Sequence, residues 1–288
     1  MNNHSSLRPS RRAWVASLAA AVASTRTPAT ASPWQPRLST STVHYPRLPV
    51  VEACERIAKL GYEAVDIWSS FQGCTHLEEA KEALGADGLR QILNRLNLKL
   101  AAVSVYRAGY EPFAGLLGEL EGGIAVRGST ADTDGPLTPK MRAFLDSLKP
   151  LADLAARHNT RIAIENHSGK PLLNRLESLK AFADLNQSPQ LGIALAPYHI
   201  QKNGESVEKA IEICGRQLLF FYAWQWGEGL AQLPGHGPTD FTPWLDALAR
   251  AGYDGPVNIF MHGDIAPDLL SAALAKSRRY ILERRGQP

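Results

Sequence analysis

Thr160-Arg161-Ile162-Ala163-Ile164-Glu165-Asn166-His167 places β-branched residues at alternate positions and then turns abruptly polar. Alternation over this length is the signature of a strand with two different faces. Ile162 and Ile164 suit a face covered by helices, which leaves Ala163 and Glu165 on the other. On either side the apolar period changes to that of a helix, over 139–157 before the strand and 172–185 after it. Helix, strand, helix in that order is how parallel strands are joined, because each crossover must carry the chain back to the same end of the sheet.

The same alternation runs along the rest of the chain. Further strands are predicted at 38–44, 64–68, 98–106, 123–128, 191–196, 218–224 and 256–260, with helices at 49–60, 77–96, 112–120, 206–214, 242–251 and 268–283. Lys59-Leu60-Gly61-Tyr62-Glu63-Ala64 recurs as Arg250-Ala251-Gly252-Tyr253-Asp254-Gly255, each a basic last helical turn, a glycine and then a strand. Eight strand–helix units predict an α/β fold, the closed (βα)8 TIM barrel. With 44% hydrophobic and 20% charged residues, disorder, collagen and coiled coil are excluded.

The first 31 residues read differently. Arg11-Arg12 precede a mildly apolar stretch, Ala13 to Ala23, and then Ala29-Thr30-Ala31, a small-x-small cleavage pattern. This predicts a twin-arginine signal peptide over 1–31, export to the periplasm and a single barrel domain over 32–288, about the ~250 residues that fold requires. No other stretch is long and apolar enough to span a bilayer. The leader holds four arginines and no acid, so the net charge of +3 falls to about −1 beyond it. That balance offers no electrostatic footprint for nucleic acid. Cys54, Cys74 and Cys214 show no metal-binding spacing and are odd in number, which fits buried free thiols.

Catalytic groups in this fold sit at the C-terminal ends of the strands. Strand parity puts His44, Trp68, Tyr106, Arg127, Glu165, Ala196, Tyr222 or Trp224, and Phe260 inward at that end. Six of the eight histidines, His44, His76, His167, His199, His236 and His262, fall at strand ends or in the loops after them. Phe220 to Trp226 is rich in aromatic rings, which suit the apolar face of a sugar, and Gln225 and Asn166 are candidates for reading its hydroxyls. A phosphate site at Gly235 and Gly237 lacks a matching lysine.

Ile162 to His167, Ala196-Pro197-Tyr198-His199, and Gly235-His236-Gly237-Pro238-Thr239-Asp240-Phe241 leading to Gly252-Tyr253-Asp254-Gly255 together resemble the xylose-isomerase-like barrel family of sugar isomerases and epimerases. The resemblance covers essentially the whole chain after the leader. It implies a divalent metal held by Glu, Asp, His and Glu from the fifth to eighth strands, polarising a carbonyl while carboxylates move the neighbouring proton. Of those ligands only Glu165 is matched; the other three positions hold Ala196, Tyr222 and Phe260. The expectation is therefore that the family-type Mg or Mn site is lost. A metal, where one binds, would be Zn-like and held by Glu165, His167, His199 and His262.

The leading reading is an exported isomerase, epimerase or related keto-sugar lyase acting through Glu165, His199 and His262. Its substrate contacts would be His44, Trp68, Tyr106, Arg127, Asn166, His167, Tyr222, Trp224, Gln225 and His236. The alternative is a carbohydrate-binding barrel that kept the pocket and lost catalysis. An abasic-site endonuclease, a related class, would need a zinc cluster and a basic face, and the sequence provides neither.

Overall fold

A computed structural model describes residues 34–120 and 123–286 of the chain. The leader expected over 1–31 lies outside the described residues. Eight parallel strands close into a barrel in sequence order: β1 Arg37–Ser41, β2 Ala64–Trp68, β3 Lys99–Ser104, β4 Gly123–Gly128, β5 Thr160–Glu165, β6 Leu191–Leu195, β7 Leu218–Ala223 and β8 Pro256–Ile259. Helices of the outer ring lie between them. β1 pairs with β8 through Arg37↔Pro256 to Thr40↔Ile259, so the barrel leaves no free edge.

Two cores result. The larger lies between strands and helices and takes Ile162, Ile164, Ile193, Val257 and Ile259 from the strands. The smaller lies inside the barrel and contains Ala102, Ala163 and Ala194 on one side against Phe220, Tyr222 and Phe260 on the other. Small against large fills a barrel interior without voids. The remaining inward positions are polar. Asp66 accepts from Ser41 (2.7 Å), from Ser104 (3.0 Å) and from the Trp68 indole N–H (2.6 Å), while Asn258 bridges Ser39 and Ser41.

The helix expected over 172–185 begins only at Leu176, the strand expected over 98–106 runs Lys99–Ser104, and three further departures bear on the site. His44 is not the end of β1 but lies in a 3-10 turn, Thr42–His44. The helix expected over 77–96 is interrupted by a wide turn at Ala80–Leu84 and resumes as Gly85–Arg95. A short helix at Pro197–Lys202, with proline at its start, was not anticipated. Among the described residues no helix is long and apolar enough to cross a membrane, and all three cysteines are free and buried.

Candidate active site

Glu165 ends β5 and points into a cavity of about 410 Å3 at the C-terminal mouth. Trp68, Phe71, Tyr106, Tyr198, Trp224 and Phe260 give it aromatic walls; His167, His199, Lys202, Gln232 and His262 give it polar groups. Trp68 stacks on Phe260 with ring centroids 5.5 Å apart and an interplanar angle of 11°, and Tyr198 stacks on Trp224 at 4.3 Å. Tyr222 lies fully buried beneath, its hydroxyl 2.9 Å from that of Tyr106, which in turn faces the Glu165 carboxyl.

Burial dominates the charges here. It pushes the Glu165 carboxyl up to about 8, with the Tyr106 hydroxyl lowering it and Asp66 raising it. Asp66 rises to about 7 because its desolvation outweighs its hydrogen-bond donors. His199 is pushed down to about 3, first by burial and then by His167, Lys202 and His262, and His262 to about 4, by burial and then by His167. Near neutral pH His199 and His262 are thus neutral imidazoles beside a carboxyl poised to gain or lose a proton.

The pocket brings together Glu165, His199, His262, Trp68, Tyr106, His167 and Trp224, with Tyr222 as its floor. It does not include five other candidates. Arg127 pairs with Ile164 in register, while its neighbour Val126 joins the interior core, so Arg127 faces away from the barrel axis. Asn166 clamps the backbone of residue 196, accepting from its N–H at 2.7 Å and donating to its C=O at 3.2 Å. Gln225 likewise donates to Leu233 C=O and accepts from Thr239 N–H. The His236 ring bonds the Ala273 carbonyl in the last helix. His44 uses both ring nitrogens on Thr40 and the Met261 N–H, and burial holds it near 3. Asn166, Gln225, His236 and His44 each satisfy backbone groups or neighbouring side chains, the commoner fate of a polar group at a loop.

Sequence reasoning missed Asp66, Phe71, Lys202 and Gln232. Gln232 is the most informative. Its amide accepts from the Trp224 indole N–H and the His262 N–H and donates to the His262 C=O at 2.7 Å, so one side chain holds two pocket walls. Asp66 was open to discovery: it stands two residues before the inward Trp68.

The donor set does not fit the metal that the family resemblance implies. Ala196 and Phe260 carry no donor, and the Tyr222 phenol is raised well above its ordinary value by burial, so it resists becoming a phenolate. Nor do the four expected replacements converge. His167 and His199 pack ring against ring at 3.9 Å, the His167 Nδ1 lies 2.7 Å from the Ser168 carbonyl, and the His199 Nδ1 lies 3.1 Å from the Ser168 hydroxyl. Among the described residues no three His, Cys, Asp or Glu side chains are grouped as a metal site needs.

A barrel of eight parallel strands with a single tuned glutamate at the end of the fifth, walled by aromatic rings, defines a small-molecule site at the mouth of an α/β barrel. Residues 115–280 match the family model of the xylose isomerase-like TIM barrel, and the chain belongs to that family. It is similar to a ketose 3-epimerase of Arthrobacter globiformis, 24% identical over 249 residues that span 79% of this chain and 83% of the relative. Among solved structures it resembles the 3-keto-D-glucoside 4-epimerase YcjR of E. coli, with a TM-score of 0.66 and 15% identity over 85% of this chain and all of the other. A structure of the IolI protein with a zinc atom bound gives a TM-score of 0.71 at 14% identity, over 86% of this chain and 99% of the other.

Proposed function

We propose that the protein is an isomerase-type enzyme that moves a proton on the carbon next to a carbohydrate carbonyl, with Glu165 carrying the proton. The observation that supports this most directly is the Glu165 carboxyl itself. It is buried at the C-terminal end of β5 among sugar-sized aromatic walls and poised at about 8, near the pH at which a general base works best. The ionised carboxylate takes the proton from carbon while the bonding pair moves toward the carbonyl oxygen. That oxygen needs hydrogen-bond donors. A neutral His199 whose Nδ1 accepts from Ser168 keeps its other ring N–H for the purpose. Return of the proton to the former carbonyl carbon, with the neighbouring hydroxyl's proton passing to the old carbonyl oxygen by way of the His199 ring, gives an isomer. Return to the opposite face gives an epimer and needs a second donor, for which the ring N–H of the neutral His262 imidazole is the candidate, its ring then taking a proton back from solvent. No step is assigned to a metal. Export by the twin-arginine route to the periplasm is part of this reading, resting on Arg11-Arg12 and Ala29-Thr30-Ala31.

Solvent exchange tests the chemistry without knowing the product. Keto sugars and 3-oxo-glycosides incubated in D2O should lose the NMR signal of the C–H next to the carbonyl, and Glu165→Gln should bind without exchange. The wild-type rate at low substrate should climb about tenfold per pH unit up to about 8 and then level, since the active form is the carboxylate. Binding without exchange in the wild-type protein would favour the non-catalytic barrel, the reading that the missing family ligands support. Intact Met1 in fractionated cytoplasm would refute the export.

A further inference from the structure

Beside the Glu165 pocket lies a second cavity of about 510 Å3, between the loops that follow β1, β2 and β8. The two share His262 as a common wall. Phe71 lines the first and its neighbour Gln72 the second, and the Phe71 and His262 rings lie 5.7 Å apart, so these two side chains form the partition. Underneath, His44 of the second cavity packs on Phe260 of the first at 5.4 Å. The second cavity differs in character. Its rim carries Gln72 and the exposed ion pair Arg47–Asp264 at 2.8 Å. Polar groups on loops around an open cavity suit hydroxyls.

The turn that divides the cavities is strained on the side that matters. Phe71 and Cys74 exchange both backbone hydrogen bonds, 3.1 and 2.9 Å, closing a two-residue hairpin whose central residues, Gln72 and Gly73, have φ of 48° and 86°. Such a turn wants Asn-Gly or Gly-Gly. The other two non-glycine residues with positive φ among those described are Asn97 and Asn159, which tolerate that region; Gln72 does not share the tolerance. A side chain kept in a costly conformation at a cavity mouth points to a use for it there.

We infer that the site takes a two-ring glycoside: the reacting ring sits against Glu165, and the second ring crosses the Phe71–His262 partition into the cavity rimmed by Gln72, Arg47 and Asp264. This rests on the carbohydrate reading above. The two cavities together, about 900 Å3, reach the upper part of the range for small-molecule sites, which a lone monosaccharide would leave mostly empty. Apart from the shared His262, the second cavity contributes binding and no proton transfer, since both ring nitrogens of His44 are taken by Thr40 and the Met261 N–H and Asp264 is paired with Arg47.

Matched pairs of sugars decide it. Affinities of D-fructose against lactulose, and of methyl 3-oxo-glucopyranoside against maltose oxidised at C3 of its non-reducing ring, are measured by calorimetry on the full chain bearing Glu165→Gln so that nothing turns over. The expected result is that at least one disaccharide binds tenfold or more tighter than its single-ring partner. Adding Gln72→Gly, which relieves the turn, should raise the Tm and collapse that preference toward one, and Arg47→Ala with Asp264→Ala should weaken it. Equal affinities within both pairs, or a preference that survives Gln72→Gly, would overturn the two-ring proposal while leaving the carbohydrate reading intact. If no sugar of either size binds, and the wild-type protein exchanges no proton, both readings fall together.

Discussion

Asp66 answers to three donors, from Ser41, Ser104 and the Trp68 indole, in the middle of the barrel. Asp66→Ala strands all three at once, and a buried donor left without a partner costs about 1–3 kcal/mol. A loss of roughly 3 kcal/mol in urea unfolding is expected, whereas Asp66→Asn, which keeps one acceptor and removes the desolvated charge, should lose far less. The metal expectation also belongs to single residues. With Ala196 and Phe260 at two family ligand positions, the purified protein should retain no stoichiometric Mn or Mg after dialysis. Elemental analysis that found Mn, lost in Glu165→Ala, would show that Tyr222 or another group takes the missing role. Glu165, Trp68 and Tyr222 were legible because a strand repeats every two residues and one apolar face fixes the other. Asn166 and Gln225 were misread because their partners are backbone groups of residue 196 and of residues 233 and 239. Nothing in the sequence marks which carbonyl or N–H a loop will leave unpaired.

Between β6 and β7 the register slips after Ile193, and Leu219 joins the interior core beside Phe220. Gly192 makes this possible: a Cβ there would stand 2.5 Å from the Leu219 side chain and 2.6 Å from the Gln217 carbonyl. Backbone cannot step aside as a flexible side chain does, so Gly192→Ala should cost about 3 kcal/mol by overpacking. Gly192→Ala combined with Leu219→Ala should recover only part of it, because the Gln217 clash stays. Chemical denaturation of the single and double variants checks both. β2, β4 and β5 run over the residues that alternation predicts, since each is bounded by a helix stop before it and a polar residue after it. The broken helix near Ala80 was invisible for the opposite reason. Its apolar period continues through the break, and only the left-handed Gly85, with φ of 62°, betrays it.

Across the whole barrel the buried titratable groups fall into two opposed sets, and their balance fixes how stability depends on pH. Asp66 and Glu165 are raised to about 7 and 8, so above the ordinary carboxyl range the folded chain still holds two protons that the unfolded chain has released. Their contribution is complete below pH 4 and is lost as pH rises through 7 and 8. His44, His199 and His262 are pushed down to about 3, 3 and 4, so below 6.5 it is the unfolded chain that holds three extra protons. Their contribution is present above 6.5 and is lost as pH falls. His76 and His236, also lowered, act in the same direction. Between pH 4 and 6.5 the histidines outnumber the carboxyls and stability climbs gently. Between pH 6.5 and 8 the carboxyl term leads, and stability falls by up to about 2.7 kcal/mol per pH unit until Asp66 and then Glu165 ionise. Above pH 8 the buried thiols of Cys54, Cys74 and Cys214, raised by burial, carry the decline on. The urea midpoint should therefore peak near pH 6.5 and decline more steeply on the alkaline side. Between pH 6.5 and 8, Asp66→Asn or Glu165→Gln should each remove about half of that slope, and the pair together should flatten it. An alkaline limb unchanged in the double variant would mean that both carboxyls are already ionised in the folded barrel. Such a result would also remove the basis for assigning the proton to Glu165.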